Sequence, residues 1–188
     1  MNTPNILTIS RMIMTPVFLA LFLIEFPFHY IAALAVFVIG SLTDLFDGKI
    51  ARKRGIVTNF GKFADPLADK MLTTSAILGF VTIDYCNIWI LFIILFREFA
   101  VSSMRLVAAS DGIVIPANMW GKVKTTIQMV SSIVIMLFLV VRFDFGVEAV
   151  ANISLILSAV LLWLMAAATA ISGIVYVVQG TKVIDFSK

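Results

Sequence analysis

Charged residues are scarce in this chain of 188 residues. Asp, Glu, Lys and Arg together make up 13% of it, whereas hydrophobic residues make up 61%, and the mean hydropathy is +1.07. Such a chain has too few polar side chains to cover a water-soluble globule, in which apolar residues are usually about half of the total. The shortage of charge therefore excludes an ordinary soluble domain and indicates a membrane protein.

Cysteine is almost absent as well. Cys86 is the only one, which excludes an intramolecular disulfide and leaves the redox compartment open. The first eleven residues lack the basic stretch, apolar core and small-residue cleavage site of a secretory signal peptide. The net charge of +3 is modest, and we expect no nucleic-acid partner.

Long apolar runs fill most of the chain. A helix needs about 20 mainly apolar residues to cross a hydrocarbon layer about 30 Å thick. The segments that qualify are roughly Ser10–Phe28, Tyr30–Lys53, Phe60–Ile83, Ile88–Ala109, Met119–Val141 and Val147–Gln179. Because no repeat or linker separates them, we predict one all-α integral membrane domain over residues 1–188, with six transmembrane helices.

The distribution of charge predicts how these helices are oriented. Lys and Arg gather in the connection after the second segment, in the one after the fourth, and at the end of the chain. The acids of the opposite loops are Glu25, Asp84, Asp144 and Glu148. The positive-inside rule then places both termini in the cytoplasm. The polar start of the chain is predicted to form a short N-terminal interfacial helix.

Four aspartates stand where transmembrane segments should be apolar. Asp44 and Asp47 are three residues apart near the end of the second segment, and Asp65 and Asp69 are four apart at the start of the third. These spacings put each pair on one helix face, and the short connection makes the two helices antiparallel neighbours. An ionised Asp costs roughly 2.5–3.5 kcal/mol at the centre of a membrane helix. Four converging acids therefore call for compensating cations.

Divalent metal ions suit such a cluster. Mg²⁺ is commonly held by carboxylates together with substrate phosphates, and two ions would clamp both the attacking and the leaving oxygen of a phosphoryl transfer. The alternative is that these aspartates cap helix ends or lie solvated among lipid headgroups.

The string from Asp44 to Asp69 reads D-x-x-D-G-x-x-A-R-x8-G-x-x-x-D-x-x-x-D. It resembles, at all eight specified positions, the signature of the CDP-alcohol phosphatidyltransferase family, whose six-helix architecture would cover nearly the whole chain. The resemblance implies a metal-dependent membrane enzyme. Such an enzyme transfers the phosphatidyl group of CDP-diacylglycerol to an alcohol and releases CMP.

The same resemblance implies roles for individual residues. Asp44, Asp47 and Asp65 match ligands of one metal ion, Mg²⁺ or Mn²⁺, and Asp69 joins Asp44 and Asp65 around a second. Asp69 also matches the general base that deprotonates the acceptor hydroxyl. Positions that match contacts to CDP-diacylglycerol are Asn5, Thr8, Gly48, Ala51, Arg52, Thr58 and Gly61. The resemblance further implies a homodimer in the cytoplasmic (inner) membrane, among membrane lipids, with the active site facing the cytoplasm.

Basic residues on the fourth and fifth segments indicate which kind of alcohol accepts the phosphatidyl group. Arg97 and Arg105 lie eight residues apart on the fourth segment, slightly more than two helical turns, and Lys122 and Lys124 begin the fifth segment from the same side. Cations beside a metal site suggest a phosphate on the acceptor. The R-E-F run with its later Arg, followed by G-K-x-K-T, resembles the phosphatidylglycerophosphate synthases of the family, which implies sn-glycerol 3-phosphate.

Other interpretations stay open at this point. Arg97 would alternatively pair with Glu98, and the other three cations would anchor to lipid headgroups. A sister transferase would use inositol phosphate, serine or phosphatidylglycerol as the acceptor. An ion-coupled transporter is a further alternative because acids within membrane helices often mark ion pathways. Against it, the acids cluster at one end of the predicted bundle.

Overall fold

The computed structural model describes residues 3–54, 59–110 and 119–181, and side chains for residues 6, 8–43, 64, 67, 68 and 70 onward within those ranges. The described part of the chain consists of helices and short connections and contains no strand. The six α-helices are α1 (Thr3–Leu23), α2 (His29–Arg54), α3 (Asn59–Thr82), α4 (Ile88–Ser110), α5 (Met119–Leu139) and α6 (Ala151–Gly180). A π-helical turn, Val140–Asp144, and a 3₁₀ turn, Glu148–Val150, connect α5 to α6. The predicted all-α class is thus confirmed.

The start of the chain differs from the prediction. Instead of a separate interfacial helix, residues from Thr3 onward form one continuous helix, α1, that runs to Leu23. The polar start and the first apolar segment have neither glycine nor proline between Pro4 and Pro16. A proline within the first helical turn is tolerated, because the backbone N–H that it lacks would have had no partner in the helix. Nothing therefore breaks the helix where the polar residues end.

Two stretches of the described chain are long and apolar enough to cross a membrane by length and composition. They are Met119–Asp144 and Glu148–Gly180. Shorter apolar stretches lie within α1, α2 and α3, namely Thr8–Leu23, His29–Thr43 and Lys70–Thr82. In α2 and α3, the residues outside these apolar stretches include the four aspartates. The two helices are therefore least apolar where the site is predicted.

Packing divides the helices into two groups of three. The most extensive contacts join α1 to α2 and α3 in one group, and α6 to α4 and α5 in the other. Smaller contacts of α3 with α4 and of α2 and α3 with α5 hold the groups together. Aromatic rings fill the centre of the first group. The Phe18 ring lies 5.7 Å from that of Phe37, and the Phe22 ring 6.0 Å from that of Phe80.

The other end of the bundle, away from the aspartates, is held by polar contacts between connections. The Arg142 guanidinium donates a hydrogen bond of 2.6 Å to the Tyr85 hydroxyl. The Asp144 carboxylate accepts one of 2.8 Å from the backbone N–H of Ile31, in the first turn of α2. A carboxylate is favoured there because the first N–H groups of a helix have no partner within it. These contacts tie the start of α2 and the α3–α4 connection to the π-helical turn that follows α5.

Cys86 lies buried in the connection between α3 and α4, with 5% of its surface exposed. Burial raises the pKa of its thiol from 9.0 to about 11. Since the thiolate is the nucleophile, the reactive fraction at pH 8 is about a hundredfold below that of an ordinary thiol. We expect iodoacetamide to alkylate the native protein at least that much more slowly than the SDS-unfolded protein, with a rate that rises up to about pH 11. Equal native and unfolded rates at pH 8 would contradict this assignment.

Candidate active site

The predicted carboxylates lie on two neighbouring helices. Asp44 and Asp47 are in α2, and Asp65 and Asp69 are in α3. Their side chains fall outside the part of the chain for which side chains are described, so their role as ligands stays a prediction. The same holds for the predicted lipid-nucleotide contacts Asn5 in α1, Gly48, Ala51 and Arg52 in α2, and Gly61 in α3. Thr58 lies outside the described residues.

Helices α2 and α3 approach each other closely next to these positions. A Cβ atom on Gly40 would lie 2.8 Å from Cδ2 of Leu72, so any larger residue at this position would force the Leu72 side chain to shift. Asp44 and Asp47 follow Gly40 by four and seven residues. Asp65 and Asp69 precede Leu72 by seven and three. Offsets of three, four and seven keep to one face of a helix, so all four positions belong to the two faces that meet at Gly40 and Leu72.

A buried carboxylate, Glu98 of α4, collects cations from three helices. Its Oε1 atom accepts a hydrogen bond of 3.0 Å from the Arg97 guanidinium and one from the Lys124 ammonium of α5. Its Oε2 atom lies 3.3 Å from Nζ of Lys70 in α3. Only 10% of the Glu98 side chain is exposed. Taking such a group out of water is costly unless it is paired, and here every partner carries a positive charge.

Arg97 reaches this carboxylate through a slot lined by small residues. Its second terminal nitrogen donates a hydrogen bond of 2.8 Å to the Ser172 hydroxyl of α6. A Cβ atom on Gly173 would lie 2.9 Å from Cγ of Arg97, and one on Gly121 3.9 Å from its NH2 atom. Small residues on α5 and α6 therefore make room for the guanidinium inside the second helix group.

The four predicted acceptor-binding cations do not all meet. Arg97 and Lys124 come together on the same oxygen of Glu98. Arg105 instead donates a hydrogen bond of 2.6 Å to the Tyr176 hydroxyl of α6, with its guanidinium carbon 5.0 Å from the centre of that ring. Lys122 is exposed at the start of α5.

Thr8, a predicted contact to the lipid nucleotide, is 1% exposed on α1. Arg11, one turn later, is equally buried. Since α1 packs chiefly on α2 and α3, the two helices that carry the aspartates, both residues lie in the helix group of the carboxylates.

Sequence reasoning missed two residues of this site. Lys70 was not predicted to take part, and Glu98 was considered only as a partner of Arg97. Both carried a signal in the sequence, because each is a charge next to an apolar run. Their contact could not be found from spacing, since Lys70 and Glu98 are 28 residues apart on different helices.

The arrangement combines two kinds of charge at one end of the bundle. The faces of α2 and α3 that meet carry four carboxylate positions, and the opposing faces of α3, α4 and α5 bring together three cations around one buried acid. Oxygen donors in this number suit hard divalent cations. Cations at a site of this kind suit phosphate oxygens. Phosphate chemistry at this end of the bundle is compatible with these charges and stays a prediction.

Comparison with known proteins agrees with this chemistry. Residues 1–172 match the model of the CDP-alcohol phosphatidyltransferase family. A CDP-diacylglycerol–glycerol-3-phosphate 3-phosphatidyltransferase of Bacillus subtilis is 42% identical over 142 residues, which cover 69% of this chain and 74% of that protein. The enzyme of the same name from Rickettsia felis is 36% identical over 176 residues, 93% of each chain. A probable phosphatidylglycerophosphate synthase of Mycobacterium tuberculosis is 42% identical over 133 residues, 69% of this chain and 63% of that protein.

Removing the Glu98 carboxylate leaves buried cations without their shared partner. Breaking a buried ion pair in this way costs about 3–5 kcal/mol. For a chain of this length, Glu98→Ala is expected to lower the melting temperature in detergent by about 10 °C. Glu98→Gln keeps the shape of the side chain, and its melting temperature should lie between those of the wild type and Glu98→Ala. The control is Glu148→Ala, since Glu148 is exposed at the far end of the bundle and should melt like the wild type. Equal melting temperatures for both alanine variants would show that the cluster does not stabilise the fold.

Proposed function

The chain belongs to the CDP-alcohol phosphatidyltransferase family, and on that premise we propose that it transfers the phosphatidyl group of CDP-diacylglycerol to sn-glycerol 3-phosphate. The products are phosphatidylglycerophosphate and CMP, so the protein acts in phospholipid biosynthesis. The observation that carries this proposal is the similarity to a named glycerol-3-phosphate phosphatidyltransferase over 93% of both chains. The eight-position signature between Asp44 and Asp69 and the buried cation cluster agree with it.

The reaction is a substitution at the phosphorus that carries diacylglycerol. A hydroxyl oxygen of glycerol 3-phosphate forms a bond to that phosphorus, the bond from it to the bridging oxygen of the pyrophosphate breaks, and CMP leaves with the electron pair. We propose that Asp69 takes the proton of the attacking hydroxyl, since it ends the signature on α3. A general base needs only hydrogen-bond reach to the hydroxyl, and holding the reactants in line supplies much of the acceleration.

The carboxylate positions fit a divalent metal. Asp44, Asp47, Asp65 and Asp69 supply only oxygen donors, and their register on the meeting faces of α2 and α3 supports one shared site. We propose that they hold Mg²⁺ or Mn²⁺, two ions in all. Bound there, divalent cations would neutralise the charge of the pyrophosphate.

The remaining predicted residues divide between the two substrates. For CDP-diacylglycerol they are Asn5, Thr8, Gly48, Ala51, Arg52, Thr58 and Gly61; the burial of Thr8 on the helix that packs against α2 and α3 supports this. For the acceptor phosphate they are Arg97, Arg105, Lys122 and Lys124. Arg97 makes the ion pair with Glu98 that the alternative interpretation expected. Arg97 and Lys124 bring two positive charges to one carboxylate, and this excess of positive charge supports an anion site there. The contact of Arg105 with Tyr176 supports a position for Arg105 outside that cluster.

We propose that the six helices cross the cytoplasmic membrane with both termini and the aspartates on the cytoplasmic side. The distribution of Lys and Arg supports this orientation, because they gather in the connections after α2 and α4 and at the end of the chain. A homodimer stays a prediction. The molecular mass of the protein in detergent, corrected for bound detergent, would test it.

The test is CMP release by the purified protein with CDP-diacylglycerol, Mg²⁺ and sn-glycerol 3-phosphate. Asp69→Asn is expected to reduce the rate by about 10²–10⁴-fold, the usual contribution of a general base. Asp84→Asn is the matched control, because Asp84 is exposed at the far end and its positive φ of 61° is tolerated by asparagine. A chelator should abolish release in the wild type, and added Mg²⁺ should restore it.

The acceptor is tested in the same assay. Release that requires glycerol 3-phosphate supports the proposal, whereas release with serine, inositol phosphate or phosphatidylglycerol instead would keep the family and change the acceptor. Folded protein that releases no CMP with any acceptor would contradict the proposed reaction.

A further inference from the structure

The three cations around Glu98 are unequally accessible. Of each side chain, 7% is exposed for Lys124, 11% for Arg97 and 34% for Lys70. Lys124 and Arg97 share Oε1 of Glu98 within the second helix group, whereas Lys70 approaches Oε2 from α3, at the junction of the two groups. Among the three cations around Glu98, Lys70 is therefore the one whose side chain is most open to a ligand from outside the cluster.

The contacts of Lys70 leave it able to accept a further partner. An ammonium has three N–H donors. One reaches the Ser102 hydroxyl and one the Glu98 carboxylate. The third contact is with the backbone carbonyl of Glu98, at 3.5 Å, the outer limit of a hydrogen bond. That carbonyl already accepts a bond of 2.6 Å from the Ser102 hydroxyl. The weak third contact is the one that an incoming anion would replace.

The position of Lys70 in α3 links this cation to the proposed chemistry. It directly follows Asp69, and successive residues of a helix point about 100° apart. The Asp69 position lies on the face that meets α2 at Gly40, while Lys70 contacts α4. The phosphate and the far hydroxyl of glycerol 3-phosphate are three carbons apart, a distance comparable with one helical turn of about 5 Å. One acceptor molecule can therefore touch Lys70 and still present a hydroxyl near Asp69.

We propose that Lys70 binds the phosphate of the acceptor together with the cations already proposed for it, and that it contributes to the selection of a phosphorylated alcohol. Glu98 and Ser102 are positioning residues, which hold the ammonium at the junction between α3 and α4. This inference rests on the proposed transfer to glycerol 3-phosphate and adds a residue that the resemblance does not assign. In the complex, phosphate oxygens replace the weak carbonyl contact, and the ion pair with Glu98 keeps the lysine in place.

Lys70→Gln tests this directly, because glutamine keeps a polar side chain and removes the charge. Losing one charge-assisted hydrogen bond is expected to raise KM for glycerol 3-phosphate by about 10- to 100-fold, while KM for CDP-diacylglycerol stays unchanged. Lys70→Arg keeps the charge and should recover most of the affinity. We expect inorganic phosphate to compete with the acceptor in the wild type, and to lose potency by a similar factor in Lys70→Gln and much less in Lys70→Arg.

The control is Arg142→Gln, which removes a positive charge and a hydrogen bond at the far end of the bundle and should leave KM for the acceptor unchanged. A wild-type KM for glycerol 3-phosphate in Lys70→Gln would overturn the inference. So would a parallel loss of kcat and stability in both lysine variants with no selective change in the acceptor KM, since that pattern marks a structural role. Wild-type protein that releases no CMP with glycerol 3-phosphate would instead contradict the proposed function itself.

Discussion

The buried carboxylate of Glu98 is the interaction on which the second half of the molecule depends. Apolar packing alone constrains the rotation of α4, α5 and α6 about their axes only weakly, because apolar side chains occur on most sides of these helices. An acid that must be paired inside the bundle removes that freedom. Lys70, Arg97 and Lys124 all contact the Glu98 carboxylate. These contacts fix which faces of α3 and α5 pack against α4, and at which level along its axis.

The arrangement of α1, α2 and α3 depends on a different constraint, the close packing of these helices at glycine residues. Leu72 packs on Gly40, and Phe22 of α1 packs where Gly79 of α3 has no side chain. Helices within a membrane gain little from hydrophobic burial, so small residues that let backbones come close supply much of their association. Such packing sets the register of α2 against α3. The register in turn decides which faces the four aspartate positions occupy.

Part of this could be predicted from the sequence because it is local. Breaks in hydropathy gave helix segments such as Ile88–Ala109, close to the observed Ile88–Ser110, and the i, i+3 and i, i+4 spacing of the aspartates needs only helical geometry. The prediction of a separate N-terminal helix is wrong, because a change from polar to apolar side chains does not end a helix whose backbone has no breaker. The contacts of Glu98 with Lys124 and of Arg97 with Gly173 join different helices. They depend on helix rotation, which composition does not fix.

Both constraints, the pairing of Glu98 and the close packing of α2 on α3, act on α3. This helix has the acid Asp69 next to the cation Lys70 in sequence. Were Lys70 on the same face as Asp69, its ammonium would pair with the carboxylates, neutralise them and occupy the place of any metal ion. A one-residue offset turns it by about 100° toward α4, where Glu98 and Ser102 hold it. The helix itself therefore keeps the two kinds of charge apart. In the proposed reaction, the opposite charges serve the two ends of one substrate: the acids act at the hydroxyl that reacts, and the cation holds the phosphate.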